Sequence, residues 1–434
     1  MASILITCTP ATGHVYPLLT VARHLVAQGH DVRMLTGTSF GDAVTAAGVE
    51  FIPMPPEADI DLDRSNEIFP QRAAMKPIPQ VRFSIIECFL KPAAGQIQAI
   101  DAAIAERPVD LVMTEMMCFG TAALARRPRD QRPPIVTLGI FPLAAVDPDV
   151  APYGLGVRPM RGPVGRLRNR VLRLVAGRLF APVVKEAEQV FAGAGVVLPP
   201  GFDMFDMPSH TDALLQFSVP GFEYPRRTLS PSVRFIGPMT RSAPKDAPLP
   251  PWWADLDGER PVVHVSQGTV ANTDYRELIR PTLDALAGED VLVIVSTGHR
   301  PVESLGVLPA NARAAEYLPY DLLFPKLAAF VTNGGYGGLQ FALQHGVPIV
   351  AAGTSEDKLE TTARVEWSGA GIGLATNHPS EAVLRRAVRR VLDNDAYRES
   401  AERLAAEIAA SPGMAGVDAT VAELTDAGSA SRAA

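Results

Sequence analysis

Six prolines crowd the middle of this chain and divide it into two parts of like construction. Pro231, Pro238, Pro244, Pro248, Pro250 and Pro251 all fall between Ser230 and Pro251. Each removes a backbone N–H and fixes φ, so the stretch reads as a linker. Ahead of it, Ser3–Thr7 is apolar and β-prone, and the turn Pro10–Gly13 breaks it. Leu18–Ala27 carries apolar residues at helical spacing, and Gly29 stops that helix before a strand at Asp31–Leu35. Further apolar strands are expected at Asp110–Met113 and Ile135–Leu138. Beyond the prolines the alternation restarts. Strands are expected at Val262–Val265, Val291–Val295, Phe330–Thr332 and Pro348–Ala351, and helices at Tyr275–Leu286, Gly338–His345, Glu381–Leu392 and Tyr397–Ala409. Apolar runs without strict alternation suit parallel sheets covered on both faces. The expectation is an α/β protein: domain 1–229, linker 230–251, domain 252–412, and a last segment 413–434. That segment is read as a helix packing back on the first domain, then a frayed tail. Ligands of such sheets sit at the carboxyl ends of the strands, so two facing sheets would leave a central cleft.

The totals exclude several classes. The chain has 434 residues, 47% of them apolar, enough for two cores. Its net charge of −7 offers no basic footprint for nucleic acid. Cys8, Cys88 and Cys118 lie far apart and form no CxxC, which argues against a disulfide framework or zinc site and for a cytoplasmic setting. The opening MASILITCTPATGH has no basic n-region and reads as a buried strand. No stretch approaches the roughly 18 uninterrupted apolar residues that span a bilayer. Val157–Phe180 holds seven arginines among apolar residues; such a helix can lie on an anionic membrane, but a solvated helix face is the preferred reading. Asp59, Asp61 and Asp63 resemble a metal loop, yet a calcium loop would need Gly at Arg64 and Glu at Pro70, so no metal is expected.

The most informative segment is VTNGGYGGLQFALQHGVPIV, from Val331. A strand ends, four glycines follow within five positions, and a helix begins. Gly334, Gly335, Gly337 and Gly338 let the backbone approach a ligand, and a helix N-terminus offers free N–H groups and positive partial charge. Phosphate is the common occupant; an empty Gly-rich turn is the alternative. Three neighbours favour the ligand. Ser266, Gly268 and Thr269 end another strand with hydroxyls suited to phosphate. Tyr317, Pro319 and Tyr320 offer a stacking surface for a nucleobase. Glu356, Asp357 and Lys358 present charges that could hold sugar hydroxyls.

This order (SxGT, a strand ending in TxGG before a helix, GVP, then a carboxylate loop) resembles the donor domain of inverting glycosyltransferases with two Rossmann-like domains facing a central cleft, the GT-B architecture. It is most similar to the antibiotic- and macrolide-type branch of the UDP-glycosyltransferase superfamily. The N-terminal GHVYPLLTVARHLVAQGHDV, from Gly13, resembles that family's opening signature. The resemblance implies UDP- or dTDP-sugar as co-substrate and no further cofactor. It implies donor contacts at Ser266, Gly268, Thr269, Tyr317, Pro319, Asn333, Gly334, Gly335, Gly337, Gly338, Glu356, Asp357 and Lys358. Departures are Asn333 for a usual His, Gly338 for Ser, Tyr317 for Trp, Tyr320 for Gln and Lys358 for Gln. Phe341 takes a place often held by a ribose-binding acid, with Gln340 one position away.

On the acceptor side the resemblance makes His14 the general base and Glu115, where an Asp is usual, its orienting partner. Histidine suits that task because its ordinary pKa lies near neutrality. Met116, Phe119 and Phe141 stand near strand ends and are expected to line an apolar acceptor pocket. His299 is kept as a donor-side candidate, while His210, His345 and His378 read as structural or surface. The implied reaction is transfer of a sugar, with inversion, to a hydroxyl of a polyketide, phenolic or other small apolar acceptor, by a monomer or homodimer. Three rivals remain open: a nicotinamide oxidoreductase, although no glycine cluster completes GxGxxG in register; a nucleotide-sugar epimerase; and a sugar-nucleotide-binding helper without transfer.

Overall fold

The computed structural model describes the chain apart from residues 200, 207–209, 241–247, 269–271, 273 and 434. Thirteen strands form two wholly parallel sheets. The first sheet contains β1 (Ser3–Thr7), β2 (Asp31–Thr36), β3 (Glu50–Pro53), β4 (Leu111–Glu115), β5 (Ile135–Gly139), β6 (Ala213–Gln216) and β7 (Val233–Phe235), in the order β3-β2-β1-β4-β5-β6-β7. The second contains β8 (Val262–Ser266), β9 (Leu292–Ser296), β10 (Ala312–Ala315), β11 (Ala329–Thr332), β12 (Ile349–Ala352) and β13 (Gly371–Leu374), in the order β10-β9-β8-β11-β12-β13. Both orders reverse direction beside their first strand. A crevice therefore opens at the carboxyl ends of β1 and β4 in one lobe and of β8 and β11 in the other.

The central strands are buried along their length, apart from Ser3 at the start of β1, which is why they read as unbroken apolar runs rather than alternating ones. Each sheet has helices on both faces. In the first lobe Ile4, Ile6, Leu18, Leu19 and Met113 meet in one core, while Leu5, Val112 and Ile100 meet on the opposite face.

The proline-rich stretch departs from its sequence reading at one end. Val233–Phe235 pairs with β6 as the edge strand of the first sheet. Edge strands tolerate flanking prolines because one row of backbone groups needs no partner. Residues 241–247 of the stretch lie outside the described residues. The final helix, Met414–Ala433, returns to the first lobe. Val417 and Val421 are buried in that lobe's core, Asp418 accepts from His24 Nε2 at 2.8 Å, and Glu423 from Arg234 at 2.8 Å. Among the described residues no helix is long and apolar enough to cross a membrane.

Candidate active site

The first crevice is built by the turn after β1. The helix Thr12–Ala27 starts there, and Asp63 holds its first turn by accepting from the Thr12 amide at 3.1 Å and the Thr12 hydroxyl at 2.5 Å. Asp59 does the same for Thr38. The acidic loop thus pins chain turns, as short carboxylates commonly do. His14 lies in that first helical turn, 12% exposed, with Nδ1 3.3 Å from Glu115 Oε1. This is ion-pair distance without the alignment of a good hydrogen bond. Glu115, the last residue of β4, is fully buried and accepts from the amides of Thr9 at 3.1 Å and Met117 at 2.6 Å. Burial alone would raise its pKa. The His14 charge and these hydrogen bonds outweigh burial and hold the carboxyl below its ordinary value. The imidazole meets Phe141 edge-on at 4.9 Å and stacks over Phe89 at 6.5 Å.

The second crevice is lined by glycine. β11 ends at Thr332, Gly334 adopts φ +88°, and Gly335 caps the helix Tyr336–Gln344. A side chain at Gly337 would meet nothing within 4 Å, so the first turn of this helix is open. Gly338 is backed by the Phe330 ring. Asn333 Nδ2 donates to the carbonyl of Gln267 at 2.6 Å and bridges the two strand ends of the crevice. Gly268, at φ +73°, is likewise open, and Ser266 Oγ accepts from its amide at 3.2 Å. Thr269 lies outside the described residues.

The loop after β12 completes the site. Glu356 adopts φ +56°, a strained conformation for a residue with a side chain. Lys358 is buried and reaches Glu356 at 3.0 Å and Ser355 Oγ at 3.2 Å. Asp357 stands at the N-cap position of the helix Lys358–Ser368, without a side-chain capping bond. Burial and the neighbouring Glu356 charge push its pKa up to about 6. A charge on His14 lowers the pKa of both Glu356 and Asp357 slightly, last among the causes that act on them.

The remaining sequence candidates divide. Tyr317 is 51% exposed and stacks on His299 at 5.4 Å, offering an aromatic face beside the second crevice, with Pro319 buried behind it. Tyr320 points the other way. Its hydroxyl lies 3.2 Å from His264 Nε2, and its ring packs on Phe324 and Phe341. Phe341 is core, and Gln340 donates to Ser218. Met116 and Phe141 line a cavity of about 10 Å³ with Leu143, Ala144 and Gln216, room for about one water. Phe119, only 2% exposed, packs in the core with Ile97, Val183 and Phe191. Phe89, one of several first-half aromatics that could line an acceptor pocket, and Asp63, weighed in the sequence only as part of an acidic loop, reach the His14 turn through the tertiary fold. No group of three or more His, Cys, Asp or Glu able to hold a metal occurs among the described residues.

Comparison with known proteins agrees with this architecture. Residues 4–113 match the glycosyltransferase family 28 N-terminal domain. Residues 280–424 match the family described as erythromycin biosynthesis protein CIII-like, C-terminal domain. The chain is 40% identical over 412 residues to 4'-demethylrebeccamycin synthase of Lentzea aerocolonigenes, covering 94% of this chain and 96% of that protein. It is 32% identical to UDP-glycosyltransferase 2 of Phaeomoniella chlamydospora, covering 98% and 96%. Among solved structures, a calicheamicin glycosyltransferase superposes with a TM-score of 0.71 at 22% identity, covering 98% of each chain. The glycosyltransferase VinC in complex with dTDP gives 0.66 at 19% identity, covering 98% and 99%.

Proposed function

The chain belongs to the GT-B glycosyltransferases of the family 28 and erythromycin CIII-like group, nucleotide-sugar enzymes of natural-product glycosylation, and from that premise we propose a direct displacement in which His14 activates the acceptor. In this reading an acceptor hydroxyl lies against His14 Nε2 with its apolar body toward Phe89 and Phe141. His14 removes the hydroxyl proton as the new C–O bond forms, and Glu115 steadies the imidazolium. The acceptor oxygen attacks the anomeric carbon from the face opposite the leaving nucleoside diphosphate, so configuration inverts. The open helix start at Gly335–Gly338 and the Gly268 turn meet the charge that develops on the diphosphate. Asn333, Tyr317 and Pro319 complete the nucleotide side, and Glu356, Asp357 and Lys358 hold sugar hydroxyls. The scheme uses no metal.

One observation carries the reading. The His14 imidazole, in the turn after β1, is backed at 3.3 Å by the buried Glu115 carboxylate and flanked by the Phe141 and Phe89 rings. The UDP in the names of several relatives and the dTDP in the VinC complex support UDP- or dTDP-sugars as donors, and the relative named 4'-demethylrebeccamycin synthase supports a natural-product acceptor. The test is a mass-spectrometric screen of several UDP- and dTDP-sugars against mixed aromatic alcohols, followed by assignment of the product's anomeric configuration. A product of retained configuration would reject direct displacement. Sugar release or epimerisation without any transfer would favour the epimerase or helper reading.

A further inference from the structure

Between β5 and the long helix Gly162–Gly193 the chain runs from Ile140 to Arg161 without helix or strand. Irregular stretches of this length inside a compact protein are uncommon and are held by side chains when they are ordered. This one passes beside the proposed acceptor site, since Phe141 touches His14 and Leu143 lines the adjacent cavity. Its middle is fastened to the first lobe: Arg166 donates to Asp149 and Asn169 to the Pro148 carbonyl. Nearer its two ends, beside first-lobe bonds from Gln216 to the Phe141 carbonyl and from Arg168 to the Arg158 carbonyl, it is also fastened across to the second lobe.

The fastenings to the second lobe come from the helix Lys358–Ser368, which begins at the sugar loop. Glu360 is buried, and its Oε1 accepts from the amides of both Gly154 and Gly156 at 2.9 Å. Its Oε2 accepts from Arg364 at 2.6 Å. Arg364 is buried, lies over the Tyr224 ring at 4.2 Å, and donates to Glu223 at 2.8 Å and to the Leu143 carbonyl at 3.1 Å. Glu223 accepts in turn from the Leu143 amide at 3.0 Å and the Tyr336 hydroxyl at 3.4 Å. Tyr336 opens the glycine-turn helix. Val219 and Phe222, next to Glu223, are buried in the second lobe's core, so this stretch between β6 and β7 packs against that lobe. Gly156 has φ +61°, and a Cβ there would lie 2.7 Å from the Leu359 carbonyl. Only glycine lets the loop approach the helix this closely. Both Glu360 carboxylate oxygens and every Arg364 nitrogen have a partner, the condition under which buried charges hold a fixed geometry.

We propose that Glu360 and Arg364 are positioning residues that fasten the acceptor-side loop 140–161 to the donor-side helix, so that filling the donor site orders the acceptor site. This rests on the donor and acceptor assignments above. A ligand at Asp357 or at the glycine turn contacts the start of one of two helices; the first holds the loop directly and the second holds it through Glu223. Coupling of this kind is reciprocal: whatever factor the nucleotide adds to loop docking, docking adds to nucleotide affinity.

The experiment is amide hydrogen exchange of the full-length protein over residues 152–158, with and without saturating UDP or dTDP, alongside the nucleotide dissociation constants. In the unaltered protein the nucleotide should slow exchange about tenfold. In Glu360→Ala the slowing should vanish, and nucleotide affinity should fall by no more than the same factor. Gly156→Ala leaves the buried charges intact and attacks the contact from the loop side; it should reproduce both effects. Slowing that survives in both variants overturns the proposal, as does nucleotide binding to the unaltered protein with no change in exchange. A merely structural loss would speed exchange while leaving its response to nucleotide in place. If neither nucleotide binds the unaltered protein, the donor assignment itself fails, and the coupling with it.

Discussion

At the scale of single residues, the site joins groups whose environments push them apart in charge. Glu115 is held ionised below its ordinary range, while Asp357 retains its proton up to about pH 6. A carboxyl whose folded pKa is raised loses stability as pH climbs from its ordinary value of 3.8 to the folded one. Asp357→Asn should therefore melt at higher temperature than the unaltered protein at pH 7.5. The difference should close below about pH 4, while nucleotide-sugar binding weakens at every pH; equal melting at pH 7.5 would count against a raised Asp357. His14→Ala should cut turnover with hydroxyl acceptors by about a hundredfold or more, the usual worth of a general base, with donor affinity unchanged by calorimetry. Comparable turnover in the variant would remove His14 as the base. Asn333→Ala should weaken UDP or dTDP binding by about tenfold, about 1.4 kcal/mol. An unchanged affinity would take Asn333 out of the donor site.

At the scale of elements, the glycine turn trades stability for access. Gly337 sits in the first turn of its helix, exposed and with nothing near the position a Cβ would take. Gly337→Ala should stabilise the protein by about 0.5–1 kcal/mol, because alanine loses less freedom in a helix. The same methyl would crowd the approach of a diphosphate, so donor affinity should fall. Paired thermal melts and titrations test this; a more stable variant with unchanged donor affinity would show that the turn does not contact the diphosphate. This turn was legible in the sequence because strand, glycines and helix are contiguous, as were most strands of both sheets. Helix starts were less so: the helix expected from Tyr275 begins at Ile279 and that expected from Gly338 begins at Tyr336. Local pattern could not reveal contacts between distant segments. Glu360 and Gly154 are separated by 206 positions, and Tyr320 sits in a motif yet turns inward because His264 and Phe324 offer it a better-packed site.

At the scale of the whole molecule, the chain leaves the first lobe after β7 and comes back to it at Met414. Val417 and Val421 lie in the first lobe's core although they follow every strand of the second. Val417→Asp should destabilise the protein by about 2–4 kcal/mol, since a carboxyl would replace a fully buried methyl pair. The loss should appear as a lowered melting transition with donor binding retained below it; an unshifted melt would mean the last helix does not support the lobe in solution. The returning helix also sets a rule for recombining this enzyme with its relatives. A chimera that keeps this acceptor half and borrows a foreign donor half must take its last twenty-odd residues from the acceptor parent. A single splice within the proline-rich stretch would deliver a mismatched plug to the first lobe, whereas two crossovers, one at each passage between lobes, would keep the last helix with the core it fills.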